Sequence, residues 1–243
     1  MKASATIGVA RCVDRDIVVE QRSSAPFSVR QSGGRILLAS SAAAPVGGDE
    51  LELNVEVGSG AKAAIGSVVA SMVWPGVAGD ASSMTTECAL GTAAHLDLWL
   101  EPTISVTGSR HRTATTVRLE RDATCRVVEE TVLGRRDEPS GHLELSLRLE
   151  RVGRPLVHHD ERFGPDVAGA FSSVSVGAAR HVLSAVLVGI DAGRPQVRIE
   201  ADRAVAWLPV AQDAVVVMAV GHDRPGVMDL LSALSPSFAS PFG

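Results

Sequence analysis

Along much of this chain apolar and polar residues alternate with a period of two. Leu51, Leu53, Val55 and Val57 interleave with Glu52, Asn54 and Glu56, and Leu143, Leu145, Leu147 and Leu149 with Glu144, Ser146, Arg148 and Glu150. Leu96, Leu98 and Leu100 do the same against His95, Asp97, Trp99 and Glu101 until Pro102 interrupts. A period of two puts one set of side chains on each face, which predicts half-buried β-strands. Shorter apolar segments at 5–11, 16–20, 35–38, 116–120 and 125–128 recur between turn signals. Spacings of roughly ten residues between turns favour an all-β domain. The continuous run Val215-Val216-Val217-Met218-Ala219-Val220 suits a strand buried on both faces.

The period changes in a few places. Asp223 can cap a helix, Pro225 fits its first turn, and Val227, Leu230, Leu231 and Leu234 form its apolar stripe, with Pro236 to stop it. A helix over 223–235 is expected, followed by a frayed tail from Ser235 to Gly243. Residues 181–190 lean to strand. Residues 66–83 read either as a helical stripe through Val68, Val69, Met72 and Val73 or as extended chain, with a mobile loop over 75–83 after Trp74-Pro75-Gly76. Gly47-Gly48 predicts a tight turn that aims Asp49 into the following strand. With no repeat and no linker in view, the chain is expected to form a single domain over 1–243.

Composition narrows the picture. Apolar residues make up 45% of the 243 positions, but aromatic ones only 3% with no Tyr, so the core must be aliphatic. The net charge of −5, with basic residues scattered in short pairs, offers no footprint for nucleic acid. The unpatterned Cys12, Cys88 and Cys125 fit neither a disulfide framework nor a zinc motif. No signal-peptide core and no run near the ~20 apolar residues of a membrane span is seen, so a cytoplasmic chain is expected.

Catalytic motifs are absent: no phosphate loop, no dinucleotide fingerprint, no nucleophile elbow. Three polar clusters remain. His158, His159, Asp160 and Glu161 would alternate between two strand faces, as a solvated strand end or as imidazole and carboxylate ligands of a metal. His95, Asp97, Trp99 and Glu101 share one face, either the outer face of an antiparallel strand or the wall of a polar cavity. Glu129-Glu130 lies between Val127-Val128 and Val132-Leu133, so one carboxylate must point inward and needs a partner. Arg135 is the cheapest available partner for an internal salt bridge, and an acidic pair beside a polar passage is the alternative.

The order of several motifs resembles the urease accessory protein D family (UreD, also called UreH). These are Val46-Gly47-Gly48-Asp49, Gly58-Ser59-Gly60-Ala61, Leu96 to Ile104 around Trp99-Leu100-Glu101-Pro102, Thr116-Val117-Arg118-Leu119, Glu129-Glu130-Thr131-Val132-Leu133-Gly134-Arg135 and Gly153-Arg154-Pro155-Leu156, together covering about 26–162. The resemblance implies a mainly β fold, an elongated sandwich-like or helical stack of antiparallel and mixed strands with one or two short helices near the C-terminus. It implies a non-enzymatic urease maturation factor, which binds UreF, reaches the GTPase UreG through it, and docks on apo-urease, in assemblies that can pair as dimers. Nickel would be in transit, with no tightly bound cofactor. Carried over by motif, Asp49, Glu101, Glu129 and Glu130 would mark the nickel route, while Gly47 and Gly48 form the turn, Gly134 keeps the wall of the passage slim and Arg135 braces it. Oxygen donors suit such a role, because several His or Cys ligands would hold nickel too tightly to release it. Two other readings remain open: a small metal-dependent hydrolase using His158 to Glu161, and a β-rich interaction module with no metal role.

Overall fold

The computed structural model describes residues 1–235 and 238. In chain order, the strands begin with β1 (Lys2–Cys12), β2 (Arg15–Ser23), β3 (Phe27–Ser32), β4 (Arg35–Ser40), β5 (Glu50–Val57), β6 (Lys62–Ser67) and the short β7 (Ser71–Val73). β8 (Ser82–Leu90), β9 (His95–Trp99), β10 (Thr103–Ser105), β11 (Arg110–Leu119) and β12 (Thr124–Leu133) follow. Then come β13 (His142–Arg151), β14 (Arg154–Phe163), β15 (His181–Val188), β16 (Gln196–Ile199), β17 (Ala204–Ala211), β18 (Ala214–Gly221) and the helix α1 (Arg224–Leu234).

Two sheets face each other. One runs β14-β13-β11-β8-β5-β1-β2, the other β16-β17-β18-β15-β12-β9-β6-β4-β3, with β7 and β10 attached beside β12. From β4 to β13 the chain crosses between the sheets at almost every step. β5, β8, β11 and β13 therefore pair in parallel in one sheet, and β4, β6, β9 and β12 in the other. Each return to a sheet adds one strand, so the centre of the molecule is a flattened β-coil closed at its ends by antiparallel hairpins. β9 thus lies between parallel neighbours, which corrects the antiparallel setting considered for His95–Glu101.

Alternation survives in β5, β11 and β13 because only one face of each is covered. Leu53, Val55 and Val57 enter the space between the sheets with Cys88, Leu90, Val117 and Leu119, while Glu52 and Glu56 stay exposed. The continuous apolar run of β18 has a second cover: α1 lies on the outer face of its sheet, with Val227, Leu230 and Leu231 buried there. Asp223 caps α1 by accepting from the Gly226 amide at 2.9 Å. The expected stop at Pro236 and most of the expected tail lie outside the described residues. Phe238, within that tail, is fully buried and meets Trp99 edge-on at 6.5 Å.

Residues 66–83 form no helix. Ser67 ends β6, Ser71–Val73 pairs in parallel with β10, and Ser82 and Ser83, placed in the expected loop, already belong to β8. The intervening loop is tied to the glycine turn: Gly47 N–H donates to Trp74 and Gly48 N–H to Ala81.

Candidate functional site

β12 carries two carboxylates in succession and therefore aims them at opposite sides of its sheet. Glu130 points outward under α1. Its side chain is completely buried, and Arg224 at the start of α1 donates to it from Nε and Nη2, both at 2.9 Å. Trp99 Nε1 donates to the same carboxylate at 2.5 Å, and His181 Nε2 lies 2.9 Å away. Burial opposes the charge on Glu130, but these contacts from His181, Arg224 and Trp99 outweigh it and hold the carboxyl below its ordinary range. Arg224 Nη1 also reaches Glu101 at 3.3 Å, so one guanidinium bridges two of the sequence-predicted carboxylates.

The expected partner, Arg135, does not serve here. It pairs with Glu138 three residues on, at 2.9 Å, in the turn that follows β12. The real partner comes from the C-terminal third, where the capping signal at Asp223 predicted the helix but nothing in the sequence linked its first residue to β12.

Glu129 points the other way, between the sheets. The aliphatic filling gives way there to Thr86, Thr113, Thr115 and Thr131, which together with Glu129 line a cavity of about 70 Å³. Thr115 Oγ1 donates to Glu129 at 2.6 Å. Burial pushes the Glu129 carboxyl up to about 7; the Thr115 bond opposes this, and the nearby charge of Glu161 adds to it. Glu161 accepts from Ser184 at 2.8 Å and lies 3.4 Å from His159, whose pKa it raises. Thr115 and Ser184 carried no sequence signal; a threonine inside a strand is indistinguishable from its solvated counterparts until the strand's face is known.

Glu101 connects these regions. It lines the Glu129 cavity, a neighbouring one of about 120 Å³ that also takes in His111, and an open one of about 520 Å³ on the outer side beside Arg224. His111 hydrogen-bonds Ser82 at 2.8 Å, and burial drives its pKa down to about 4, so the ring is neutral.

Asp49 stands apart. It is buried, its carboxylate paired with the Met1 amino group and accepting from the Val46 amide at 2.8 Å, and it lines none of these three cavities. The turn before it depends on close approach: a Cβ on Gly47 would come within 2.4 Å of the Gly76 nitrogen and the Asp80 carbonyl. Gly48 and Gly134 both take positive φ, 88° and 82°, which suits glycine. Arg135 reaches this turn indirectly, its guanidinium stacking over Trp74 at 5.3 Å, while Trp74 bridges to Val46.

The remaining clusters divide as their strand spacing implies. On β14 His158 and Asp160 face outward with Arg148, while His159 and Glu161 face inward. Asp97 forms a two-point ion pair with Arg126, and His95 bonds Thr124. Among the described residues, no three His, Cys, Asp or Glu side chains converge as a preformed metal centre. Burial pushes the Cys88 and Cys125 thiols up to about 12, which removes them as thiolate donors. No described helix is long and apolar enough to cross a membrane.

Comparison with known proteins agrees with this picture. A family model described as UreD urease accessory protein matches residues 1–240. The urease accessory protein UreD of Parafrankia sp. (strain EAN1pec) is 33% identical, over 92% of this chain and 85% of its own. That of Frankia casuarinae is 31% identical over 96% and 81%, and that of Frankia alni 30% over 82% and 72%. The chain belongs to the UreD family of urease accessory proteins.

Proposed function

We propose that this protein is a non-catalytic urease maturation factor that links UreF, and through it the GTPase UreG, to apo-urease, and that nickel passes through its interior to the urease active site. The observation that carries the nickel reading is the polar seam inside an otherwise aliphatic coil. Glu129 and the threonines of β8, β11 and β12 form one cavity wall, and Glu101 joins that cavity to the outer one. Carboxylates and hydroxyls are hard oxygen donors that bind Ni²⁺ loosely enough to let it go. A proton held by Glu129 near neutral pH is one that an arriving cation can displace. Glu101, Glu129 and Glu130 are assigned to the route, and Asp49 to fastening the turn that borders β5.

Co-expression with UreF, UreG and apo-urease tests the reading, with complex formation, nickel content and ammonia release as readouts. Glu101→Gln and Glu129→Gln should leave the complex intact and reduce nickel loading. Full loading in the folded double variant would confine both carboxylates to a structural role.

A further inference from the structure

The open cavity of about 520 Å³ beside the first turn of α1 is lined by Arg135, Arg136, Arg180 and Arg224, against two carboxylates, Glu101 and Asp223. Wherever an ion pair reaches this wall, the cation is the outer member. The Arg135 side chain is 47% exposed and Glu138 18%; Arg224 is 33% exposed and Glu130 behind it 0%. Among the described residues Arg180 has no carboxylate partner: its Nη2 donates to the main-chain carbonyls of Leu133, Arg135 and Glu138. Arg136 is exposed and, among the described residues, unpaired. Asp137, the other acid of this turn, does not line the cavity. Asp223 at the rim is exposed, but Glu101 and Glu130 sit behind Arg224 and Glu138 behind Arg135, so four guanidinium groups face the hollow against one outward carboxylate and the wall presents a positive field to solvent.

The cavity continues into a second hollow of about 440 Å³, with which it shares Arg180 and His222. There the wall becomes mostly apolar, with Leu133, Ala178, Ala179 and Phe171, the last 42% exposed; its one carboxylate, Glu138, is held by Arg135. Guanidinium groups at one end and an exposed aromatic ring at the other match a segment that carries carboxylates next to an apolar side chain.

We propose that this groove docks an acidic, partly apolar segment of a protein partner, and that a carboxylate of that segment competes with Glu101 and Glu130 for Arg224. The second clause rests on the maturation reading. Arg224 neutralises two of the three carboxylates assigned to the route, so drawing its guanidinium outward leaves Glu101 and Glu130 to seek another cation. Docking outside and cation affinity inside are thereby coupled, and the coupling is reciprocal.

Fluorescence anisotropy of the full chain with a fluorescein-labelled glutamate–leucine peptide tests the docking. A glutamine–leucine peptide of equal length and inorganic phosphate form the other arms. The acidic peptide should bind about tenfold more tightly than the amide one, and Arg136→Glu, at an exposed side chain without an ion pair, should weaken it by a similar factor. Equal binding of the two peptides, or binding unchanged in both Arg136→Glu and Arg180→Gln, overturns the proposal. Displacement of the peptide by phosphate at matched charge makes the groove a general anion site and overturns the peptide assignment. For the coupling, Ni²⁺ titration by calorimetry should give a severalfold tighter affinity when the peptide is present, and no such gain in Glu101→Gln. An affinity indifferent to the peptide removes the coupling. Peptide binding is read without nickel, and nickel loading of urease without the peptide, so either reading can fail while the other stands.

Discussion

Arg224, on the first turn of α1, donates two 2.9 Å hydrogen bonds to Glu130, which lies 94 residues earlier at the centre of β12. With Trp99 bound to the same carboxylate and His181 beside it, the group gathers donors from β9, β15 and α1. Deleting one member of a buried pair leaves its partners desolvated and unsatisfied. Glu130→Ala should therefore lower stability by about 3 kcal/mol, the usual scale for breaking a buried pair. In a double-mutant cycle with Arg224→Ala the two losses should fall short of additivity by about 1 kcal/mol or more. Urea unfolding of the four proteins measures this, and additive losses would show that the helix is held by its apolar face alone.

Glu129 leads to the opposite pH behaviour. Its pKa stands at about 7 in the folded chain against an ordinary 4.5. Between those values the folded state holds a proton that the unfolded state has lost, so stability falls as pH rises through the window and stays low above it. Glu129→Gln removes that penalty and keeps an acceptor for Thr115. It should stabilise the protein at pH 8 by on the order of 3 kcal/mol and hardly at all at pH 4. His111 acts on the other side, since its neutral buried ring costs stability as pH falls from 6.5 to about 4. Thermal melts of variant and parent across pH 4–8 separate the two, and a difference that does not vary with pH would contradict the assignment.

The strands were legible because a coil of parallel strands with one wet face writes the same alternation as an ordinary antiparallel sheet. Their direction was not, because direction depends on where the chain re-enters each sheet. Within the site, Glu129-Glu130 announced itself by sitting in an apolar run. What completes it did not: Arg224 and His181 come from a region whose local pattern speaks only of a helix and a buried strand. The error over Arg135 has the same origin, since the local pattern favoured a cation just past the strand, which the turn spends on Glu138.

At the glycine turn the backbones of Gly47 and Gly76 touch, so neither position has room for a side chain. Gly47→Ala should cost about 1–3 kcal/mol, as overpacking does. The loss should appear as a lower unfolding midpoint with an unchanged urea dependence. A variant as stable as the parent would mean that the 74–81 loop can step away from the turn.

On the proposed route, Asp49 and Glu101 divide anchoring from transport. Asp49 accepts from the Val46 amide and pairs with the Met1 amino group, away from the cavities that Glu101 joins. Asn at this position retains the acceptor that closes the turn and loses only an ion pair whose other member is 40% exposed. Asp49→Asn should thus cost no more than about 1 kcal/mol, the scale of a partly exposed pair. Urease activated by the co-expressed set should release ammonia at the parent rate with Asp49→Asn and several-fold more slowly with Glu101→Gln. Glu101 borders every cavity on the proposed route, so a loss there with no loss at Asp49 is what an interior path requires. Equal losses in two well-folded variants would place Asp49 on the path and extend it to the β5 end of the coil.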